Sequence, residues 1–357
     1  MKEGNKTAKI LMPVFLIMVF LGCIGCTIVA LEVYALVFGR VEDVQDNEFT
    51  THITWREINQ TMYPREEVHF ISGGNKLQGF IYGGSNSNGL IVISNGIGST
   101  SDDYLPMVMY FVDKGWRIFC FNNTGVGGSE GESIRGLTQS VIDLDTALAF
   151  VKNSGRFNGL PVMLAGHSLG GFAVCAVLNL NQKPNAVVSF AAFNSSEEIS
   201  EEQGVAMAGN AFYLFTPQTW AIEKQLFGDK VKLTAVDGIN KAGIPVMIVH
   251  SSDDEVISAK KSSIYAHRGQ INNPNVEIAF FNGENASGHE RVFGSKKATE
   301  YMKLATESWE AYVAEHGYVS NATLAQWAKE YNFDKIKANE LNMELMERVN
   351  ALFSGAR

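Results

Sequence analysis

Ser168 is the residue whose surroundings point to covalent chemistry. It lies in Gly166-His167-Ser168-Leu169-Gly170, between a short apolar run, Pro161 to Ala165, and a run with Leu169, Phe172, Ala173, Ala176 and Val177 at helical spacing. The first run reads as a strand buried on both faces and the second as a helix. A turn that joins them this tightly has no room for side chains two residues before and after the serine, hence the glycines. It holds the serine itself in strained geometry, with its hydroxyl presented at a helix N-terminus. In a chain with 34 glycines the pattern alone could arise by chance; the flanking strand and helix make it a strong sign of a nucleophile. The plainer alternative is a glycine-rich turn without chemistry. A serine hydroxyl is a weak nucleophile until a base takes its proton, so a histidine held by a carboxylate must converge on Ser168. The chain offers seven histidines.

The elements that must position these groups alternate. Val68 to Ile71 and Lys76 to Tyr82 flank a Ser-Gly-Gly-Asn hairpin signal. Gly89 to Ser94 reads as a buried strand, Tyr104 to Lys114 as a helix, and Trp116 to Phe121 as another strand. A glycine-rich loop, 122–129, precedes a helix over Ser140 to Lys152 with Val141, Leu144, Ala147, Leu148 and Val151 on one face. After the serine turn come a strand over Ala186 to Ala192, a strand over Pro245 to His250, a helix over Ala259 to Arg268 and a strand over Val276 to Phe281. Such alternation predicts a mostly parallel sheet with right-handed crossovers, opened by an antiparallel hairpin. No internal repeat is visible.

This order of elements, the Gly-His-Ser-Leu-Gly turn, the Gly125-Val-Gly-Gly-Ser129 loop and the late Gly288-His289 pair resemble the α/β-hydrolase superfamily, and within it the serine aminopeptidase and monoacylglycerol-lipase-like branch. The resemblance covers about Glu66 to His289, with a last helix near Leu341 to Phe353. It implies an α/β-hydrolase fold, a mostly parallel sheet with flanking helices and a helical lid inserted at about 195–244. It also implies a catalytic triad in the chain order Ser, Asp, His: Ser168 as nucleophile, His289 as base and Asp254 as its carboxylate. Only His289 and His316 follow the last strand, and His316 lies in a polar helical stretch that reads as surface. The register of His250-Ser-Ser-Asp-Asp-Glu-Val-Ile257 against the family's Gly-x-x-Asp-x-Val selects Asp254 over the adjacent Asp253, which is left to solvent or to capping the next turn. The resemblance places the oxyanion donors at the main-chain N–H groups of Leu169 and Ile97, the latter in Ser94-Asn-Gly-Ile-Gly98. Two departures stand out: Asn95 replaces a usual histidine and Thr124 a usual arginine. Neither removes a catalytic group. His167, beside the nucleophile, is expected only to pack.

Ile10 to Leu31 carries no charge, and after Glu32 the apolar run resumes to Phe38. As helix the uncharged run would span roughly 33 Å, enough for a bilayer core. Lys2, Lys6 and Lys9 precede it, and Arg40, Glu42, Asp43, Asp46 and Glu48 follow. The reading is a single-pass anchor over 10–38, with residues 1–9 cytoplasmic and the catalytic domain on the extracytoplasmic side. A cleaved signal peptide has an apolar core about half this length. A lipoprotein site at Cys23 is poorly matched by Phe20-Leu-Gly-Cys23. Residues 39–65 read as a polar linker and 66–357 as the hydrolase domain. A net charge of −9 without a basic run excludes nucleic acid as partner. Four cysteines are too few for a disulfide scaffold, and Cys120 and Cys175 read as buried thiols.

The lid region opens with Glu197, Glu198, Glu201 and Glu202 and continues with Met207, Phe212, Tyr213, Leu214, Phe215, Trp220, Leu226 and Phe227. These residues either line an acyl pocket or pack the lid onto the body. The sequence therefore predicts a membrane-anchored serine hydrolase that cleaves carboxylic esters, lipid or other acyl esters first among them, through an acyl-enzyme. No metal or organic cofactor is implied. An aminopeptidase or amidase of the same fold is the alternative within enzymes, and a non-catalytic anchored binding protein the alternative outside them.

Overall fold

The computed structural model describes residues 22–43, 48–317 and 319–357. Eight strands form one sheet: β1 Arg65–Ser72, β2 Asn75–Tyr82, β3 Leu90–Ser94, β4 Arg117–Phe121, β5 Val162–His167, β6 Ala186–Phe190, β7 Val246–Ser251 and β8 Val276–Phe281. Their spatial order is β1-β2-β4-β3-β5-β6-β7-β8. β2 runs antiparallel to β1 and β4, and every other neighbouring pair is parallel. The serine-bearing strand β5 therefore lies near the middle, flanked by β3 and β6.

The two-residue period of the strands divides their side chains between two cores. Val92, Leu164, Val187 and Ile248 meet helices α2 (Gln139–Asn153), α3 (Leu169–Ala176) and α6 (Ala235–Ala242) on one face. Ile91, Ile93, Met163 and Val188 meet α1 (Leu105–Asp113) and α9 (Met343–Gly355) on the other. Strands β3, β6 and β7 are buried along their whole length, as their unbroken apolar runs require.

A buried carboxylate fixes the glycine-rich loop after β4. Asp143, on α2, accepts from the hydroxyls of Ser72 (2.7 Å) and Thr124 (2.9 Å), from the Gln139 amide (2.8 Å) and from the Thr124 N–H (2.8 Å). Thr124, at the position where the family usually has arginine, thus takes its place in a fully hydrogen-bonded network that a longer cation would overfill. Burial raises the Asp143 pKa, and its donors oppose the rise.

The helix expected over Ala259 to Arg268 does not form; the segment is a run of turns ending in a short 3-10 helix, Arg268–Gln270. Its main-chain groups are claimed from outside. The N–H groups of Ser258 and Ser262 donate to the Glu202 carboxylate, the Ile264 N–H donates to the Ala192 carbonyl, and the Ser262 carbonyl accepts from Asn194. The stretch after His289, Lys296 to Lys337, which its sequence marks as mostly helical, forms α7 (Lys296–His316) and α8 (Asn321–Tyr331), and these pack on one another through Ala305, Trp327 and Ala328.

The excursion after β6 holds α4 (Ser196–Ala208) and α5 (Thr216–Phe227) before α6. Helix α6 belongs to the body: Gly238 lies so close to the Cys175 carbonyl of α3 that a Cβ there would collide with it. The stretch expected as a linker lies on the domain. Val41 pairs with Val126, and the Arg40 guanidinium donates to the carbonyls of Gly127, Ser129 and Gly131 at 2.8 to 2.9 Å. Residues 22–37 are helical, whereas residues 10–21 of the expected anchor lie outside the described residues. Among the described residues no helix is long and apolar enough to cross a membrane.

Candidate active site

Strand β5 ends at His167, and α3 begins at Leu169. Ser168, alone between them, takes φ +54° and ψ −118°, a conformation rarely adopted by a side-chain-bearing residue. The glycines make it attainable. A Cβ at 166 would collide with the Gly170 carbonyl, and one at 170 with the Ser94 carbonyl at the end of β3. The turn is held where it is by the Ser168 N–H, which donates to the Phe190 carbonyl at 2.9 Å.

The structure brings Ser168, His289 and Asp254 together. The Ser168 hydroxyl lies 2.9 Å from His289 Nε2, and His289 Nδ1 lies 2.9 Å from Asp254 Oδ2. His289 is buried, and Ser168 and Asp254 are nearly so, each 8% exposed. Asp254 cannot swing away, because its Oδ1 accepts from the N–H groups of Val256 (3.0 Å) and Ile257 (2.7 Å). Burial lowers the His289 pKa, but the hydrogen bond and charge of Asp254, with the charges of Glu290 and Glu255, outweigh it and leave the pKa above the ordinary value. A base so placed can take the Ser168 proton and hold it as imidazolium while a carbonyl is attacked.

Asp253 is exposed to solvent, as the sequence suggests, but its hydrogen bonds go to the base loop and not to the turn that follows. Its Oδ1 accepts from the Ser251 hydroxyl (2.6 Å) and from the Gly288 N–H (2.9 Å), and the Ser287 N–H donates to Ser251 Oγ (2.9 Å). Glu255 accepts from the His289 N–H at 3.1 Å. Three consecutive acidic residues thus hold three consecutive features of the base loop: the main chain at 288, the imidazole, and the main chain at 289. Burial raises the Asp253 pKa, but the hydrogen bonds from Ser251 and Gly288 more than reverse this and lower it. Glu255 was not singled out from the sequence, and Ser251 only as standing at the glycine position of the family's Gly-x-x-Asp-x-Val pattern. The run of carboxylates beside a glycine-containing loop was the one signal for them, and it says nothing about which backbone they meet.

Leu169 opens α3, where its N–H has no intrahelical partner. Ile97 follows Gly96, whose N–H donates to the Tyr104 hydroxyl at 2.8 Å. Neither Ile97 nor Leu169 gives its N–H to another group among the described residues. The buried Asn95, which stands where the family has histidine, donates to the Phe121 carbonyl at 2.9 Å and so ties the ends of β3 and β4 together. His316 sits exposed in the last turn of α7, its Nδ1 2.9 Å from the Tyr312 carbonyl, away from the site. His167 does more than pack: its ring nitrogens lie 3.2 Å from the Tyr104 hydroxyl and 3.2 Å from the His289 carbonyl.

Residues 85–222 match the family model described as serine aminopeptidase, S33. The matched segment contains Ser168 and ends before Asp254 and His289. Among solved structures, an esterase of Pyrococcus furiosus superposes with a TM-score of 0.51 at 14% identity, over 78% of this chain and 95% of that one. An α/β hydrolase of Penicillium sp. sh18 does so with a TM-score of 0.50 at 19% identity, over 68% and 97%. At such identities the likeness is one of fold. No curated protein sequence matches the chain.

Two measurements probe the geometry. Asp254→Asn should lower kcat on the order of 10⁴-fold by leaving His289 in the wrong tautomer, while Asp253→Asn, which keeps an oxygen to accept from Ser251 and Gly288 and loses only the charge, should cost no more than about tenfold. Reversed magnitudes would reassign the carboxylate. The second is the acid limb of kcat/KM. Since only neutral imidazole accepts the serine proton, activity should be lost as pH falls through the His289 pKa, with a midpoint above the ordinary histidine value of about 6.5. A midpoint below 6.5 would mean that burial, and not Asp254, sets the base.

Proposed function

We propose that this chain is a serine hydrolase of the α/β-hydrolase superfamily that cleaves carboxylic esters through an acyl-enzyme, held at a membrane by its N-terminal segment. The hydrogen-bonded series Ser168–His289–Asp254 carries this reading. His289 takes the hydroxyl proton as Ser168 Oγ attacks the ester carbonyl. The N–H groups of Ile97 and Leu169 bind the oxyanion of the tetrahedral intermediate. Its collapse breaks the bond to the alcohol, which leaves with the proton from His289. Water, deprotonated by the same imidazole, then attacks the acyl-enzyme and releases the acid and free Ser168.

An aminopeptidase reading follows from the description of the matched family. It needs a carboxylate free to bind the substrate's ammonium group, and the acidic start of α4 is the obvious source. Three of its four glutamates are otherwise engaged: Glu198 with Asn194, Glu201 with Tyr213, and Glu202 with Ser258 and Ser262.

The lid supports an acyl substrate at a bilayer. Met207, Tyr213, Leu214 and Trp220 are exposed on it, as are Ile24, Ile28, Val29, Leu31, Val33 and Leu36 on the N-terminal helical segment. Phe212, by contrast, lies against Gly204 of α4 and packs the lid on itself.

Fluorophosphonate should label the wild-type chain at Ser168 and leave Ser168→Ala unlabelled and inactive, while denaturant unfolding of the two coincides. An active Ser168→Ala would refute the nucleophile. On the full chain in detergent, a panel of p-nitrophenyl esters and aminoacyl p-nitroanilides should show turnover of the esters, rising with acyl length by about fourfold per CH₂ buried. Faster turnover of the anilides would select the aminopeptidase. For the anchor, protease added to intact cells should digest the domain and spare Lys2, Lys6 and Lys9; a domain protected until the membrane is breached would overturn the orientation.

A further inference from the structure

We propose that Tyr104 and His167 are positioning residues that lock the oxyanion loop and the base loop into one register. They form a chain of hydrogen bonds running from the Gly96 N–H to the His289 carbonyl.

The direction of each bond follows from what its ends can do. The His289 carbonyl, 3.2 Å from His167 Nε2, can only accept, so Nε2 carries the hydrogen. In a neutral ring Nδ1 is then bare and accepts the Tyr104 O–H across 3.2 Å. That leaves the Tyr104 oxygen lone pairs for the Gly96 N–H, 2.8 Å away. Every donor meets an acceptor, and only one imidazole tautomer satisfies them all. Burial, followed by the charge of His289, lowers the His167 pKa to about 4, so the ring stays neutral wherever His289 titrates.

The placement gives this chain its consequence. Gly96 immediately precedes Ile97, one oxyanion donor; His167 immediately precedes the nucleophile; and His289 is the base. One line of hydrogen bonds therefore runs from the main chain beside the oxyanion donor, through the side chain of the nucleophile's neighbour, to the main chain of the base. Tyr104 and His167 are themselves buried, at 3% and 4% exposure, and Phe293 packs against both rings at 6.2 and 5.3 Å between centroids. Neither side chain reaches Ser168 or a substrate by any contact in the site. Their role is to keep reacting groups in line, where a displacement of about 1 Å costs on the order of 100-fold in rate.

The inference rests on Ser168 as nucleophile, and labelling of the wild-type chain by fluorophosphonate tests that separately. The variants are Tyr104→Phe, which removes one oxygen and keeps the ring packing, His167→Leu, and the pair together. Fluorophosphonate inactivation and ester kcat should each fall about 30-fold in either single variant, with KM within about twofold and the unfolding temperature nearly unchanged for Tyr104→Phe. The double variant should be no more than about threefold slower than the worse single one, because both break the same chain. Tyr104→Phe with more than half of the wild-type inactivation rate overturns the proposal, as does a change in KM alone or multiplicative losses in the double variant. If His167→Leu does not fold, Tyr104→Phe decides alone.

Discussion

The site depends on one strained turn. Ser168 occupies a backbone conformation that costs on the order of 1–3 kcal/mol, and it is held there because the surroundings leave no other place for the chain. Its N–H is bound to the end of β6, and the glycines on either side are pressed against the carbonyls of Gly170 and Ser94. Burial of β3, β5 and β6 in two apolar cores keeps those three strand ends in register. The close approach to β3 does more than fit the turn in. It brings the loop that carries Ile97 beside the start of α3, so strain and oxyanion site have the same origin.

The base is positioned differently. His289 lies on a loop after β8, and a loop alone is a poor support for a group that must hold its geometry. Parallel pairing of β7 with β8 puts the loops at their ends side by side. There Asp253, Asp254 and Glu255 take hold of Gly288, the imidazole and the His289 main chain. The rigidity comes from hydrogen bonds to carboxylates: Asp254 acts from a buried position, where such bonds are strong, while Asp253 and Glu255 hold the main chain from the exposed edge of the site. The three acidic residues separate into one that tunes the base and two that fix its loop.

The lid is fastened from two directions. Glu202 holds the 258–262 segment through the N–H groups of Ser258 and Ser262. From the other side, the Tyr34 hydroxyl of the N-terminal helical segment donates to Glu223 on α5 at 2.5 Å and lies 2.7 Å from the Arg135 carbonyl. Gly136, at φ +132°, makes the space, since a Cβ there would strike the Tyr34 oxygen. The C-terminal end of the stretch expected as anchor, Tyr34 to Phe38, is thus packed on the lid helix and on Val126 and Ile134 of the body.

The sequence by itself determined the local chemistry: the serine between two glycines, the strand and helix beside it, and the buried strands read from unbroken apolar runs. These follow from short-range sterics and periodicity, which neighbouring residues specify completely. The adjacent aspartates could be ranked only through a resemblance, because both lie in one loop and differ in what they meet across space. Tertiary structure alone decided that Asp253 and Glu255 bind the base loop, that Thr124 belongs to a buried carboxylate network, and that residues 39–43 lie on the body. It also cancelled the helix over 259–268, whose hydrogen-bonding groups are taken by Glu202, Ala192 and Asn194. His167 shows the limit most sharply. Its place beside the nucleophile is plain in the sequence, but its partners, Tyr104 and the His289 carbonyl, come from distant parts of the chain and meet it only when the sheet is assembled.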